Sequence, residues 1–329
     1  MAWLKGPKSD GVIQINHPVK FNKYVQSGLF DPWSDVWYVD DENGNDSHTG
    51  RGPSDAKATI QAAVTAAGED DIIYVRPVGA LTDASDFDYY PEQVTVPYAK
   101  TNLSIIGVTK HFVNPYYGVW LRWGYGAAHT GYVLLNYAPG LCLENLGFQT
   151  GDYIRSSYGA VHMYSSTTGG AYTTHAGSVG FTVYNCFFRD GQLNVTGGYD
   201  SCTSGCTFKA SGSANTGWWQ TSNSLPSGGH QVRDSHFGEM FGDNQPLRYI
   251  YSVAGAHKDM LFKDLTFGIV PADNHYFWFG ANNTGIAVNC HFASLDVAQG
   301  QDDAESEFYC GTANGVLAIG CYDKTGILA

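Results

Sequence analysis

Charge is scarce in this sequence. Asp, Glu, Lys and Arg make up 15% of its 329 residues and lean acidic, with a formal net charge of −13. Such a chain lacks the basic surface that nucleic acid or an anionic membrane selects, so neither partner is expected. Long apolar runs are missing too: nothing approaches the ~18 residues that read as a spanning helix. The start, Met1-Ala2-Trp3-Leu4-Lys5-Gly6, opens no run of export-signal length, so export by that route is not expected either. Cysteines number seven, an odd count, and show no regular pairing pattern. They read as buried free thiols of a protein made in a reducing cytosol rather than as a disulfide framework. Cys202 and Cys206 have no second Cys or His pair at zinc-binding spacing, so no metal is expected there. No other pattern calls for a cofactor.

What the chain has in quantity is glycine, 40 residues, and aromatics, 14%. From Leu143 to Tyr322 these fall into a recurring phrase in which a turn residue is followed, three positions on, by an aromatic. The copies are Asn145 with Phe148, Asn185 with Phe188, Gly205 with Phe208, Asp234 with Phe237, Asp264 with Phe267 and Asn289 with Phe292, then a shortened Gly320-Cys321-Tyr322. The intervals of 40, 20, 29, 30, 25 and 31 residues average about 29, within the range that marks solenoids. Asn, Asp and Gly accept the left-handed backbone of a sharp turn at low cost. The residue after the turn and the aromatic two further on share one face of a strand. One rung cannot bury that face alone, but rungs stacked about 4.8 Å apart can set each Phe on the next. Each buried ring contributes roughly 1.5–3 kcal/mol, so the expected spine is Phe148, Phe188, Phe208, Phe237, Phe267 and Phe292. Cys186, Cys206, Cys290 and Cys321 directly follow their turn residues and act there as small hydrophobes.

Residues 1–35 hold no copy of the phrase yet carry Trp3, Ile13, Ile15, Phe21, Tyr24, Phe30 and Trp33. A solvated linker would be poorer in aromatics. This segment is expected to be a docking arm, with Trp3, Phe21, Tyr24, Phe30 and Trp33 as contact residues, in front of one long domain over 36–329. Asp41, Asn43 and Asn45 have the spacing that opens a calcium loop, but Asp46 stands where Gly is needed and Gly52 where Glu is needed, so a polar turn is expected. Thr59 to Ala67 reads as a helix: Thr59 caps it, Ile60, Ala63, Val64 and Ala67 make one apolar face, and Gly68 suits the exit. Placed before the first rungs, near residue 71, it would cover the open end of the coil. Strands are expected over 71–75, 92–96 and 103–107.

The order Trp37-Tyr38-Val39-Asp40, Gly44-Asn45-Asp46, Thr59 to Val64, Asp71 to Val75, Tyr90-Pro91-Glu92 and Leu103 to Gly107 resembles the opening of right-handed parallel β-helix proteins of the pectate-lyase-like superfold. The later phrases resemble their rungs, so the likeness spans residues 37–322. It implies an all-β, single-stranded right-handed parallel β-helix with a short N-terminal capping helix. It leaves function open, because the superfold serves lyases, hydrolases, esterases, adhesins and phage tailspikes.

A lyase would need a calcium-binding carboxylate cluster and a nearby Arg or Lys; a hydrolase would need paired carboxylates on one groove. Asp190, Asp234, Glu239 and Asp243, with Arg189, Arg233, Arg248 and His236, are the residues to consider. Asp234 and Asp264 occupy the turn of the repeat and read as structural. Glu239 and Asp243, in a loop outside the phrase, are the remaining catalytic candidates. Sugar rings stack on Trp and Tyr, and Trp218, Trp219, Trp120 and Trp123 are the carbohydrate-binding candidates; aromatics at this density also build cores and interfaces. The favoured reading, by analogy, is a phage virion protein: a capsid decoration or tail-associated β-helix, assembled in the host cytoplasm and released by lysis. Its expected partners are copies of itself in a trimer, a capsid or tail protein, and a host surface glycan. The alternative is a polysaccharide lyase or glycoside hydrolase, free or as a short tailspike.

Overall fold

The computed structural model describes residues 34–78, 88–108, 118–123, 132–150, 160–168, 171–189, 191–209, 219–221, 227–238, 248–252, 257–268, 275–279, 283–292, 308–310, 315–323 and 326–327. Among them the chain winds through three long sheets. Sheet A runs from Val36–Val39 through Cys142–Glu144 and Thr182–Tyr184 to Gly315–Ile319; sheet B runs from Val119–Trp123 to Tyr322–Asp323; sheet C runs from Val94–Val96 to Phe308–Cys310. Apart from Ala171–Ala176 and Gly326–Ile327, which are added antiparallel, neighbouring strands within each sheet follow chain order and pair in parallel, as in Thr182–Tyr184 between Cys142–Glu144 and Cys202–Ser204. This is a right-handed parallel β-helix, one strand of each sheet per rung.

The repeated phrase is the corner between sheets A and B. Asn145, Asn185, Gly205, Asp234, Asp264, Asn289 and Gly320 all have φ between 51° and 65°. Each amide from Asn145 to Asn289 donates to the next rung, as Asp264 N does to the Val288 carbonyl at 2.9 Å. Glycine at position 205 has a second reason beyond its φ: a Cβ there would lie 2.4 Å from Asn185 Oδ1. Three residues on, the phenylalanines stack as expected. Ring centroids are 5.4 Å apart for Phe148 and Phe188, then 4.7, 4.7, 4.9 and 5.1 Å along Phe208, Phe237, Phe267 and Phe292, and all six rings are fully buried. Leu121 continues the row below Phe148. The thiols after the turn fit the same logic: Cys186 Sγ donates to the Tyr184 carbonyl at 3.4 Å, and on another rung Ser235 Oγ does the same to Arg233 at 2.8 Å. Cys186, Cys202, Cys206, Cys290 and Cys321 are thiols outside any disulfide.

A second series of left-handed corners leads into sheet A, at Asp70, Asn102, Gly140, Gly180, Asp200, Gly229 and Asp259. No aromatic follows these at a fixed distance, so the repeated phrase does not reveal them.

The N-terminal end is closed by the helix Ile60–Ala66. Thr59 Oγ1 accepts from Ala62 N at 3.1 Å, and Ile60, Ala63, Val64 and Ala67 are buried in the core with Val39, Val75 and Val94. Two distant carboxylates complete its start: Asp46 accepts from Ala58 and Thr59, and Glu92 from Ile60 N at 2.7 Å and Gln61 N at 2.9 Å. Its exit differs from expectation, since Ala67 caps it in an extended conformation and Gly68 N donates to Asp71 Oδ2 at 2.6 Å. Asp71 also takes Trp37 Nε1 at 2.8 Å and Asp35 N at 2.7 Å, tying the first strand to the helix. The turn after the first strand is organised by Asp40, which accepts from the amides of Glu42 and Asn43 and from Arg76. Burial pushes the Asp40 carboxyl up, but the bonds from Arg76 and Asn43 outweigh it and hold its pKa below the ordinary value.

Candidate functional site

Sheet C carries two rows of register partners. One, Val94, Leu134, Val161, Leu193, Trp219, Ile250, Phe277 and Phe308, is the row whose described side chains are fully buried in the core. The row alternating with it reads Thr95, Leu135, His162, Asn194, Gln220, Tyr251, Trp278 and Tyr309. Strand alternation puts its described members Thr95, Leu135, His162 and Asn194 on the face away from the core. Six rungs in succession thus bear a hydrogen-bonding or aromatic residue at one register position.

His162 and Asn194 occupy neighbouring rungs of this row. His162 Nε2 lies 2.6 Å from Thr196 Oγ1, with the Tyr132 ring 4.3 Å and the Tyr164 ring 5.2 Å away. Asn194 Nδ2 donates to Tyr132 Oη at 3.2 Å. His162 Nδ1, Asn194 Oδ1 and, two residues along the strand, Gln192 Oε1 are buried with no hydrogen-bond partner. A buried polar atom without a partner costs about 1–3 kcal/mol. Three of them on neighbouring rungs make this a locally costly part of the sheet. Burial lowers the His162 pKa to about 4, so the imidazole is neutral at physiological pH and offers one donor and one acceptor.

The tryptophan candidates are dispersed. Trp219 holds the inner register position between Leu193 and Ile250; Trp218 lies outside the described residues. Trp120 sits on the outer face of sheet B but is 2% exposed, lying over Gly147, where a Cβ would meet its ring at 2.6 Å, and edge-on to Phe187 at 5.4 Å. Trp123, on the same strand, is 38% exposed. Glu239, Asp243 and Asp190 lie outside the described residues, as do Trp3, Phe21, Tyr24, Phe30 and Trp33 of the arm. Asp234 and Asp264 are corner residues. Arg189 is in register with Lys209 and Gln149 on sheet B, and His236 is an exposed residue of that sheet. Arg248 begins a sheet C strand and pairs with His275. Asn45 binds its own loop, its Oδ1 accepting from Ser47 N and Oγ at 2.9 and 2.7 Å. The outer row of sheet C escapes sequence reading because loops of unequal length separate its members. The one available signal was the alternation in Tyr276-Phe277-Trp278-Phe279, which sets Trp278 apart from its neighbours.

No protein-family model matches the sequence, and no curated protein does. Solved structures do. The pectin methylesterase of Aspergillus niger superposes with a TM-score of 0.50 at 12% identity, over 89% of this chain and 87% of that one. The GH136 lacto-N-biosidase of Eubacterium ramulus gives 0.50 at 11%, over 79% of this chain and 59% of that one. A tailspike protein of the Escherichia coli O157:H7 bacteriophage CAB120 gives 0.31 at 11%, over 89% and 42%. Identities this low speak to architecture alone, and the architecture this chain has in common with the first two is the parallel β-helix.

Proposed function

We propose that this protein is a virion structural component, a capsid decoration or tail-associated β-helix, that contacts a host surface glycan along the outer row of sheet C. The observation that carries the glycan contact is the register row His162, Asn194, Gln220, Tyr251, Trp278 and Tyr309, a hydrogen-bonding or aromatic residue on six successive rungs. Sugar hydroxyls hydrogen-bond to amide and imidazole side chains, and pyranose faces stack on aromatic rings. Rungs about 4.8 Å apart repeat on the length scale of a sugar unit. The free cysteines support assembly in a reducing cytosol, and the aromatic segment 1–35 supports attachment to a trimer and to a particle.

Two measurements test this. Binding to an array of bacterial surface polysaccharides should be detected for the native protein and should fall at least tenfold for Asn194→Ala and for Trp278→Ala. Mass spectrometry of purified particles should find the chain at a stoichiometric copy number. Release of reducing ends or unsaturated sugars, abolished by Glu239→Gln or Asp243→Asn, would replace this reading with the polysaccharide lyase or hydrolase.

A further inference from the structure

The last rungs of sheet A present an outer face unlike the rest of that sheet. Leu261, Ile286 and Leu317 form one register row and Val288 and Ile319 the next. Ile286, Leu317 and Ile319 are 40%, 59% and 48% exposed. Between this patch and the aromatic rungs of Tyr38 and Tyr74, the same row carries Ile106, Glu144, Tyr184, Ser204, Arg233 and Lys263, four of its six members polar or charged and none an exposed aliphatic. An outer sheet face is ordinarily polar, and contiguous exposed aliphatics mark an interaction surface.

A second observation falls on the same rung. At the opposite end the edge of sheet A is occupied, since Tyr38 N donates to the Gly50 carbonyl and Lys57 N to the Tyr38 carbonyl. Sheet B ends on the antiparallel strand Gly326–Ile327. Among the described residues Gly315–Ile319 is the terminal strand of sheet A, with no further strand beside it. A strand edge next to an aliphatic face is a template for strand addition.

We propose that this rung receives the N-terminal arm of a second copy of the chain, through the segment Val12-Ile13-Gln14-Ile15-Asn16. Ile13 and Ile15 alternate with Gln14 and Asn16, the pattern of a strand with one apolar face. Added beside Gly315–Ile319, that face would extend the rows of Leu317 and Ile319. The inference rests on the proposal that residues 1–35 are a docking arm. Asp35, where the arm joins the coil, lies at the far end of sheet A, its carbonyl accepting from Ile72 N. Nine rung steps of about 4.8 Å separate the two ends, roughly 43 Å. The residues between Asn16 and Ser34 span up to about 60 Å when extended, so a neighbour beside or beyond can be reached. An arm folding back on its own sheet would have to lie over Glu144, Arg233 and Lys263 and strip them of water, whereas a neighbour's arm can approach from the free end.

The experiment compares full-length protein with a variant lacking residues 1–33, with Ile13→Asp/Ile15→Asp and with Leu317→Asp/Ile319→Asp, by light-scattering mass and circular dichroism. Amine cross-linking of mixed isotope-labelled and unlabelled full-length chains accompanies it. An oligomer is expected for the full-length protein and folded monomers for all three variants. The cross-links expected are mixed-isotope pairs from Lys8 or Lys20 to Lys263, which report on the site even if a patch variant fails to fold. If the truncated chain is monomeric but the Leu317→Asp/Ile319→Asp chain keeps the oligomer, the arm docks elsewhere; this inference falls and the docking-arm reading stands. Same-isotope pairs alone would place the arm on its own coil and overturn the inference as well. A truncated chain that still forms the oligomer would sink both.

Discussion

Phe237 and Phe267 sit within a stack in which each of the two touches a ring above and a ring below, so neither site can collapse when a ring is removed. Truncating either to Ala should cost about 3–5 kcal/mol, read as a shift in denaturant midpoint with unchanged slope. Histidines 162 and 230 make a different residue-scale prediction. Burial lowers their pKa values from 6.5 to about 4 and about 3, with His257 adding to the effect at His230. Between pH 6.5 and those values the unfolded chain binds protons that the folded chain does not, so stability falls as pH drops through that window. The loss attributable to His162 should be on the order of 3 kcal/mol by pH 4. Thermal melts at pH 7, 5.5 and 4 should show the decline, and His162→Gln should reduce it, leaving the share of His230. The thiols should be inert for a related reason: burial raises Cys186 and Cys206, the latter to about 12. A disulfide reagent should label them only after denaturation.

At the scale of elements, the helix Ile60–Ala66 is too short to hold by itself, and its stability comes from what it touches. Asp71 accepts three donors that connect the helix exit, Trp37 and the start of the first strand. Asp71→Ala would leave those N–H groups without a partner in a buried setting, at a cost of about 3 kcal/mol or more. Hydrogen exchange should then show the rungs of Val36–Val39 and Ile72–Val75 opening well before the Phe stack. Uniform loss of protection along the whole coil would mean instead that the N-terminal rungs and the stack unfold as one unit. The alternation within Val119–Trp123 illustrates the limit of strand-level reading. It correctly sets Trp120 opposite Leu121, but outward does not mean exposed here, because Gly147 on the next rung leaves room for the ring to lie flat and be covered.

For the whole molecule, the proposal that the N-terminal segment is a docking arm predicts that the coil, which buries its own Phe and aliphatic rows, folds without it. Deleting residues 2–33 should leave a folded β-helix whose melting temperature changes little, while the proposed assembly into oligomer and particle is lost. Unfolding of the truncated monomer would show that the arm belongs to the core.

The sequence by itself determined the coil. A left-handed turn residue and an aromatic three positions later form a local pattern, so the A–B corner, the Phe stack, the cysteine positions and the capped helix could all be read from short windows. Only the tertiary structure decided what lies on sheet C and at the end of sheet A. His162, Asn194 and Trp278 come from rungs separated by loops of different length, and nothing local aligns them. Leu261, Ile286 and Leu317 look like ordinary strand residues until register puts them in one exposed row. Register between distant rungs comes from how the chain stacks, which is a property of packing and not of any one segment.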